Sequence, residues 1–297
     1  MQLRYIWIRI QVYFSSKFGI LTIKIFIHHS LTIHHFKTSS IWNLEFKILE
    51  FLPMFKFKQF TVEQDRCAMK IGTDGVLLGA WTPITNNPFS VLDIGTGTGI
   101  IALMLAQRSN AEQIDALEID EEAYEQSVDN FENSPWSDRL FCFHAGLDEF
   151  VDEPEDDPSD SELAQQYDLI ISNPPFYSED YKTENIQRDL ARFQDAMPFE
   201  DLVEAADLLL SENGIFSVII PFKEEDRFLA IAKEYELYPM KITRVKGTAN
   251  SEIKRSLLAF SRKENYDLQI DELVIEIARH IYTPEYIALT KDFYLKM

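Results

Sequence analysis

The sequence predicts an α/β fold built on a mostly parallel sheet, and three observations predict it. Strand and helix signals alternate from Val91 onward, as in βαβ units. A glycine-rich loop, Gly95-Thr96-Gly97-Thr98-Gly99, stands between the first of these strands and the first helix. A tetrad, Asn173-Pro174-Pro175-Phe176, closes the fourth strand. Both motifs fall at carboxyl ends of strands, the edge where open α/β sheets bind ligands.

The elements follow in order. Residues 1–53 differ from the rest, with ten isoleucines, four of the six histidines and no aspartate. Apolar and basic residues alternate there without a sustained helical or strand period, and the longest uncharged run, Ile25–Phe36, is too short to span a bilayer. No apolar core precedes a small-residue cleavage site, so a secretory signal is not expected. The segment reads as an added hairpin or membrane-surface piece, or as an atypical extension ahead of a true start at Met54; the second reading is preferred. Residues 54–297 form the predicted catalytic domain. Within it Ser90–Ile94 is the first strand and Ile100–Arg108 an apolar helix. Gln113–Ile119 is a strand, Glu121–Asn130 a helix capped by Asp120, and Leu140–His144 a strand. Residues 151–166 carry seven acids, two prolines and no base, as a solvated loop does. Tyr167–Ser172 is the fourth strand, Phe199–Leu210 a helix stopped by Asn213-Gly214, and Ile215–Ile220 the fifth strand. Two last strands lie near Lys241–Val245 and Ser256–Phe260, joined by a loop through Gly247.

Composition narrows the function classes. Two distant cysteines, Cys67 and Cys142, support neither a disulfide framework nor a thiolate metal site, and fit a reducing cytoplasm. No metal is expected, because the clustered His28, His29, His34 and His35 have no carboxylate or cysteine beside them. The net charge is −21. Residues 1–53 carry six Lys/Arg against two acids, or +4, which leaves −25 on the remainder. So acidic a body opposes nonspecific nucleic-acid binding. Residues 241–263 reverse the balance, with seven Lys/Arg, Lys254 and Arg255 among them, against Glu252 alone.

The glycine loop lets the backbone turn tightly and approach a ligand closely. A dinucleotide fingerprint looks similar, but an acid before the glycines, Asp93, would repel a pyrophosphate and suits the ammonium of a methionine moiety. Glu118 ends the second strand where an acid accepts ribose hydroxyls, the plain alternative being a solvated strand end. The tetrad has a plain reading too, a proline turn closing a strand. Its chemical reading is stronger. The Asn173 amide oxygen and the Pro174 carbonyl can both accept from one planar –NH2 group, aiming its lone pair at a sulfonium methyl. Phe176 offers a face on which a planar group stacks.

Together the glycine loop, Glu118 and the Asn-Pro-Pro-Phe tetrad resemble the class I N6-adenine and N5-glutamine methyltransferases. The stretches Phe57–Phe60, Asp65–Gly75 and Leu77–Trp81 are similar to the bacterial branch that methylates tRNA, as are Ser134-Pro135-Trp136, Arg188 to Arg192, Tyr286–Thr290 and Phe293–Leu295. The resemblance implies a Rossmann-like fold, with a seven-stranded, mostly parallel sheet whose last strand is antiparallel. It implies S-adenosylmethionine as donor, held around Asp93, Gly95, Thr96, Gly97 and Glu118, with Lys70, Thr73 and Asp74 closing over its methionine end. The acid that usually meets the donor adenine is Gly146 here, with Asp148 two residues on. The implied acceptor is N6 of adenosine 37 in a tRNA anticodon loop, expected to be a valine tRNA, and the implied RNA contacts are Arg188 and Arg192 with Lys254 and Arg255. A monomer with no membrane partner is expected. The rival is a glutamine methyltransferase acting on a protein such as a release factor. It would need a peptide groove, which residues 1–53 do not read as; a nucleotide-binding module without catalysis is opposed by the intact tetrad.

Overall fold

The computed structural model describes residues 8–15, 20–27, 54–152, 166–175, 197–264 and 268–297. The chain forms two compact units, Met1–Phe51 and Leu52–Met297. In the first, β1 (Ile8–Ser15) pairs antiparallel with β2 (Ile20–Ile27), setting Ile8, Ile10, Val12 and Phe14 opposite Ile27, Ile25, Ile23 and Leu21. A period of two is therefore present where none was expected. The alternation lasts only eight residues in each strand, too short to stand out as a sustained period over residues 1–53.

The second unit opens on a small ribbon, β3 (Phe55–Lys56) with β4 (Thr61–Val62), tied to the chain's end where Lys58 N donates to Phe293 O. Helix α1 (Thr73–Trp81) follows, unforeseen because its sequence contains Gly75 and Gly79, poor helix formers. Packing overrides that weakness. A Cβ at Gly79 would lie 2.9 Å from Met104 Sδ, so the missing side chain is what lets α1 settle on the next helix.

The main sheet takes β5 (Ser90–Ile94), β6 (Gln113–Glu118), β7 (Leu140–His144), β8 (Tyr167–Ser172), β9 (Leu210–Pro221), β10 (Tyr238–Thr248), β11 (Ile253–Ser261), β12 (Gln269–Ala278) and β13 (Ile281–Tyr282). Its order is β13-β12-β10-β11-β9-β8-β5-β6-β7. The seven strands β5 to β11 are parallel except β11, which runs against both β9 and β10. That is the implied class I sheet. Two strands extend it: β12 runs parallel to β10, and β13 turns back on β12.

Helices α2 (Ile100–Arg108), α3 (Glu121–Glu132), α4 (Leu147–Asp152), α5 (Phe199–Leu209), α6 (Glu225–Glu234) and α7 (Pro284–Thr290) connect and cover it. Asp120 caps α3 as expected, accepting from Ala123 N at 2.8 Å. The expected stop of α5 at Asn213-Gly214 comes earlier. Leu210 already pairs with Tyr167 and Ile215 with Leu169, so β9 advances five residues while β8 advances two and the polar residues between bulge outward. Central strands are buried on both faces, with β5 buried at every position. One apolar cluster, with Leu103, Met104 and Ile114, lies on one side; the other, with Phe216, Phe228 and Phe260, lies on the opposite side. No helix among the described residues is long and apolar enough to cross a membrane.

Candidate functional site

A cleft of about 790 Å3 opens at the carboxyl edge of β5, β6 and β8, within the ~300–1,000 Å3 usual for ligand sites. Its floor is the glycine loop. Gly95 N and Thr96 N both donate to Leu117 O at 3.0 Å, and Gly99 N donates to Thr96 O. Gly95, Gly97 and Gly99 have φ of 71°, 58° and 77°, in the left-handed region. A Cβ at Gly95 or Gly97 would meet no atom within 4 Å, so the loop's bare backbone faces open space. At Gly99 the reason differs: a Cβ there would lie 2.5 Å from the Phe131 ring of α3.

Glu118 forms one wall. Its Oε2 accepts from Gly97 N at 2.8 Å and its Oε1 from Asp120 N at 3.0 Å, which fixes the carboxylate beside the loop with lone pairs to spare. Opposite β6, Asp148 Oδ1 lies 2.7 Å from where a Cβ on Gly146 would be. The residue that lacks the expected acid thus makes room for the acid two positions later. Asn173 and Pro175 reach the cleft from β8, and Asp201, Glu204 and Leu208 reach it from α5. Among the described residues the lining holds five carboxylates (Glu118, Asp120, Asp148, Asp201, Glu204) and no Lys or Arg. Such a cleft repels a phosphate and attracts a cation.

The roof is Cys67, Ala68 and Met69. They precede α1 and are anchored by α3. Asn130 accepts from Glu63 N at 2.8 Å and donates to Glu63 O and Thr98 O, each at 2.9 Å. Gln126 Oε1 accepts from Arg66 N at 3.1 Å, and the Arg66 guanidinium pairs with Glu125 and Asp129. Burial pushes the Cys67 thiol up to about 12, with Glu118 adding to the rise, so the roof is uncharged at neutral pH.

The methyltransferase small domain family matches residues 81–226. A tRNA1(Val) (adenine(37)-N6)-methyltransferase of Flavobacterium johnsoniae is 76% identical over 244 residues, which are 82% of this chain and all of that protein. One of Bacteroides fragilis is 45% identical over 245 residues, 82% of this chain and 99% of that protein. This chain belongs to the tRNA1(Val) (adenine(37)-N6)-methyltransferase family. Among solved structures, a predicted O-methyltransferase of Agrobacterium tumefaciens shares the fold, with a TM-score of 0.57 and 18% identity over 74% of this chain and 96% of that one.

For a member of this methyltransferase family, several expected site residues are placed otherwise than the sequence suggested. Asp93 is fully buried behind the loop, where its Oδ2 accepts from Thr96 Oγ1 at 2.6 Å and Ala102 N at 3.2 Å. Neither Asp93 nor Thr96 lines the cleft. The carboxylate holds the loop and the start of α2 together, because an acid at that depth must take the nearest donors. Its second oxygen, Oδ1, has no hydrogen-bond partner. Lys70, Thr73 and Asp74 do not line the cleft either. Lys70 turns back to cap the carbonyls of Gln64, Asp65 and Cys67, and Thr73 begins α1. Asp74 pairs with Arg255, Oδ2 to Nε at 2.7 Å, so a residue expected at the donor and one expected at the RNA meet each other.

The basic stretch is partly neutralised too. Arg244 pairs with Glu225, Lys246 with Glu272 and Arg262 with Asp207, while Lys254 stays well exposed, 3.9 Å from an exposed Glu252. Phe176, Arg188 and Arg192 lie outside the described residues. What sequence reasoning missed are Cys67–Met69 and the α5 residues. Their signal is weak: Met69, Ile119 and Leu208 are exposed apolar residues that gather at one cleft.

Proposed function

We propose that this protein transfers the methyl group of S-adenosylmethionine to N6 of adenosine 37 in the anticodon loop of a valine tRNA. The observation that carries this is the meeting, in one cleft, of the glycine cradle and Glu118 with Asn173 and Pro175. The donor fits these residues. It is cationic, and the described lining is acidic, with five carboxylates. Its adenosine needs bare backbone and a fixed acid, supplied by Gly95, Gly97 and Glu118, with Asp148 standing near the exposed Ile119 edge for the purine. When bound, S-adenosylmethionine supplies an electrophilic methyl; the C–S bond breaks as the N–C bond forms, leaving S-adenosylhomocysteine and one proton for solvent.

The chain's own part is positioning and electrostatics. The nitrogen lone pair of an adenine amine is delocalised into the ring. Asn173 Oδ1 and the Pro174 carbonyl accept from its two N–H groups and turn that lone pair toward the donor. Pro174 and Pro175 stiffen the backbone that holds both acceptors. The base must leave its stack to enter, as in enzymes that modify bases. Methyl transfer from labelled donor to valine tRNA, followed by nucleoside analysis, tests the reading. N6-methyladenosine at position 37, with no label on release factor, is the expected result; label on release factor alone would overturn it.

A further inference from the structure

Phe222 opens the short 3-10 turn Phe222–Glu224 that follows β9, and its ring is not buried. β8 and β9 are neighbours, with Ser172 opposite Val218, so Asn173 is level with Ile219. Phe222 stands three residues further out, roughly 10 Å beyond at ~3.3 Å per residue and one strand spacing of about 4.8 Å to the side. It is not part of the donor cleft. It stands instead at the same sheet edge on the far side of the tetrad from β5.

The setting of this ring is built. The Arg244 guanidinium lies over it, 5.4 Å from the centroid. Arg244 is held by Glu225, with Nε–Oε1 at 3.1 Å and Nη2–Oε1 at 2.6 Å. Glu225 is only 2% exposed and also accepts from Ser256 Oγ. A carboxylate at that depth is tolerated only when paired and hydrogen-bonded. Here its pairing fixes the plane of a guanidinium against an aromatic face at the open end of a strand.

We infer that Phe222, backed by Arg244 and Glu225, is the stacking platform for a nucleobase flanking the one that is methylated. The inference rests on the tRNA reading above. A base drawn down to Asn173 leaves its stack, and its neighbour at the mouth then needs a new face. Unstacked RNA bases are taken up on aromatic rings and guanidinium planes, largely irrespective of sequence. With Arg244 on one face of the ring, the base takes the other. The platform also supplies attraction that a body carrying −25 cannot draw from charge alone.

The test uses the full chain and an unmodified anticodon stem-loop of valine tRNA, with 2-aminopurine placed in turn on each side of the target adenosine. Phe222→Ala and Phe222→Leu should raise KM for the RNA about 5- to 100-fold with kcat within about threefold, the loss expected of one base stack. Phe222→Trp should keep KM near wild type. Donor affinity and melting temperature should not move in any of the three, which separates stacking from packing. Wild-type binding should change the fluorescence of one flanking 2-aminopurine, and Phe222→Ala should abolish that change. A wild-type KM in both Phe222→Ala and Phe222→Leu, or an undiminished fluorescence change, would overturn the platform. If wild-type enzyme methylates neither stem-loop nor tRNA, the tRNA reading falls and takes the platform with it.

Discussion

Asn173 and Asp93 lie near the carboxyl ends of adjacent parallel strands, yet the structure gives them opposite environments. Asn173 faces the cleft; Asp93 has no exposed surface. Asn173→Ala should therefore remove transfer and leave the donor site intact. A loss of about 10²-fold or more in single-turnover rate is expected, as for other lost transition-state contacts, with donor affinity within a few-fold. Turnover within threefold of wild type would remove Asn173 from the chemistry. For Asp93, burial pushes the carboxyl up from 3.8 to about 7, with Thr96 and Ala102 resisting the rise. Between those values the folded chain holds a proton that the unfolded chain has released. The stability this proton brings is full below pH 3.8 and is lost as pH rises to about 7. Asp93→Asn should flatten that slope by up to about 1.4 kcal/mol per pH unit. Urea titrations of both proteins from pH 5.5 to 8 check it, and parallel stability curves would show that the carboxyl titrates normally.

At the scale of elements, the roof and floor of the cleft share one fastening. Asn130 on α3 bonds the chain at Glu63, which leads to the roof, and at Thr98, which belongs to the glycine loop. Asn130→Ala would leave part-buried backbone groups at Glu63 and a buried carbonyl at Thr98 without this partner. A destabilisation of about 2–4 kcal/mol is expected, together with weaker donor binding. Denaturation and donor titration on the same protein check the pair of effects; stability lost with donor affinity unchanged would mean that the roof does not contribute to the donor site. The β10–β11 hairpin teaches the converse. Seven cations in 23 residues read as a patch, but cross-strand and helix acids pair with Arg244, Lys246 and Arg262, and Arg255 is committed to Asp74. A linear count of charge does not see partners that arrive from other elements.

Across the whole molecule, the family relatives account for about four-fifths of the chain, and the β1–β2 pair forms a unit by itself. Residues 1–53 are proposed to be dispensable, since their composition breaks sharply at Met54. A protein beginning at Met54 should match the full chain in melting temperature and in methyl transfer; a clear fall in either would show that the segment supports the domain. The remaining body is strongly acidic, so RNA capture has to rely on contacts that are not set by net charge.

Some of this was determined by sequence alone. β5, α2, β7 and β8 occupy the predicted spans, because burial period, glycine turns and proline stops act over a few residues. The glycine loop and the tetrad were legible for the same reason: each motif carries its chemistry within seven residues. Other features were decided only by the tertiary structure. α1 forms despite its glycines because α2 has a place for it. β12 and β13 join the sheet because β10 leaves an open edge, and Glu225 is buried because Arg244 and Ser256 come to meet it. The Asp74–Arg255 pair joins residues 181 positions apart. Local chemistry fixes what a segment becomes, whereas the partner of a buried charge or an exposed edge depends on which distant residues the fold brings within a few ångströms.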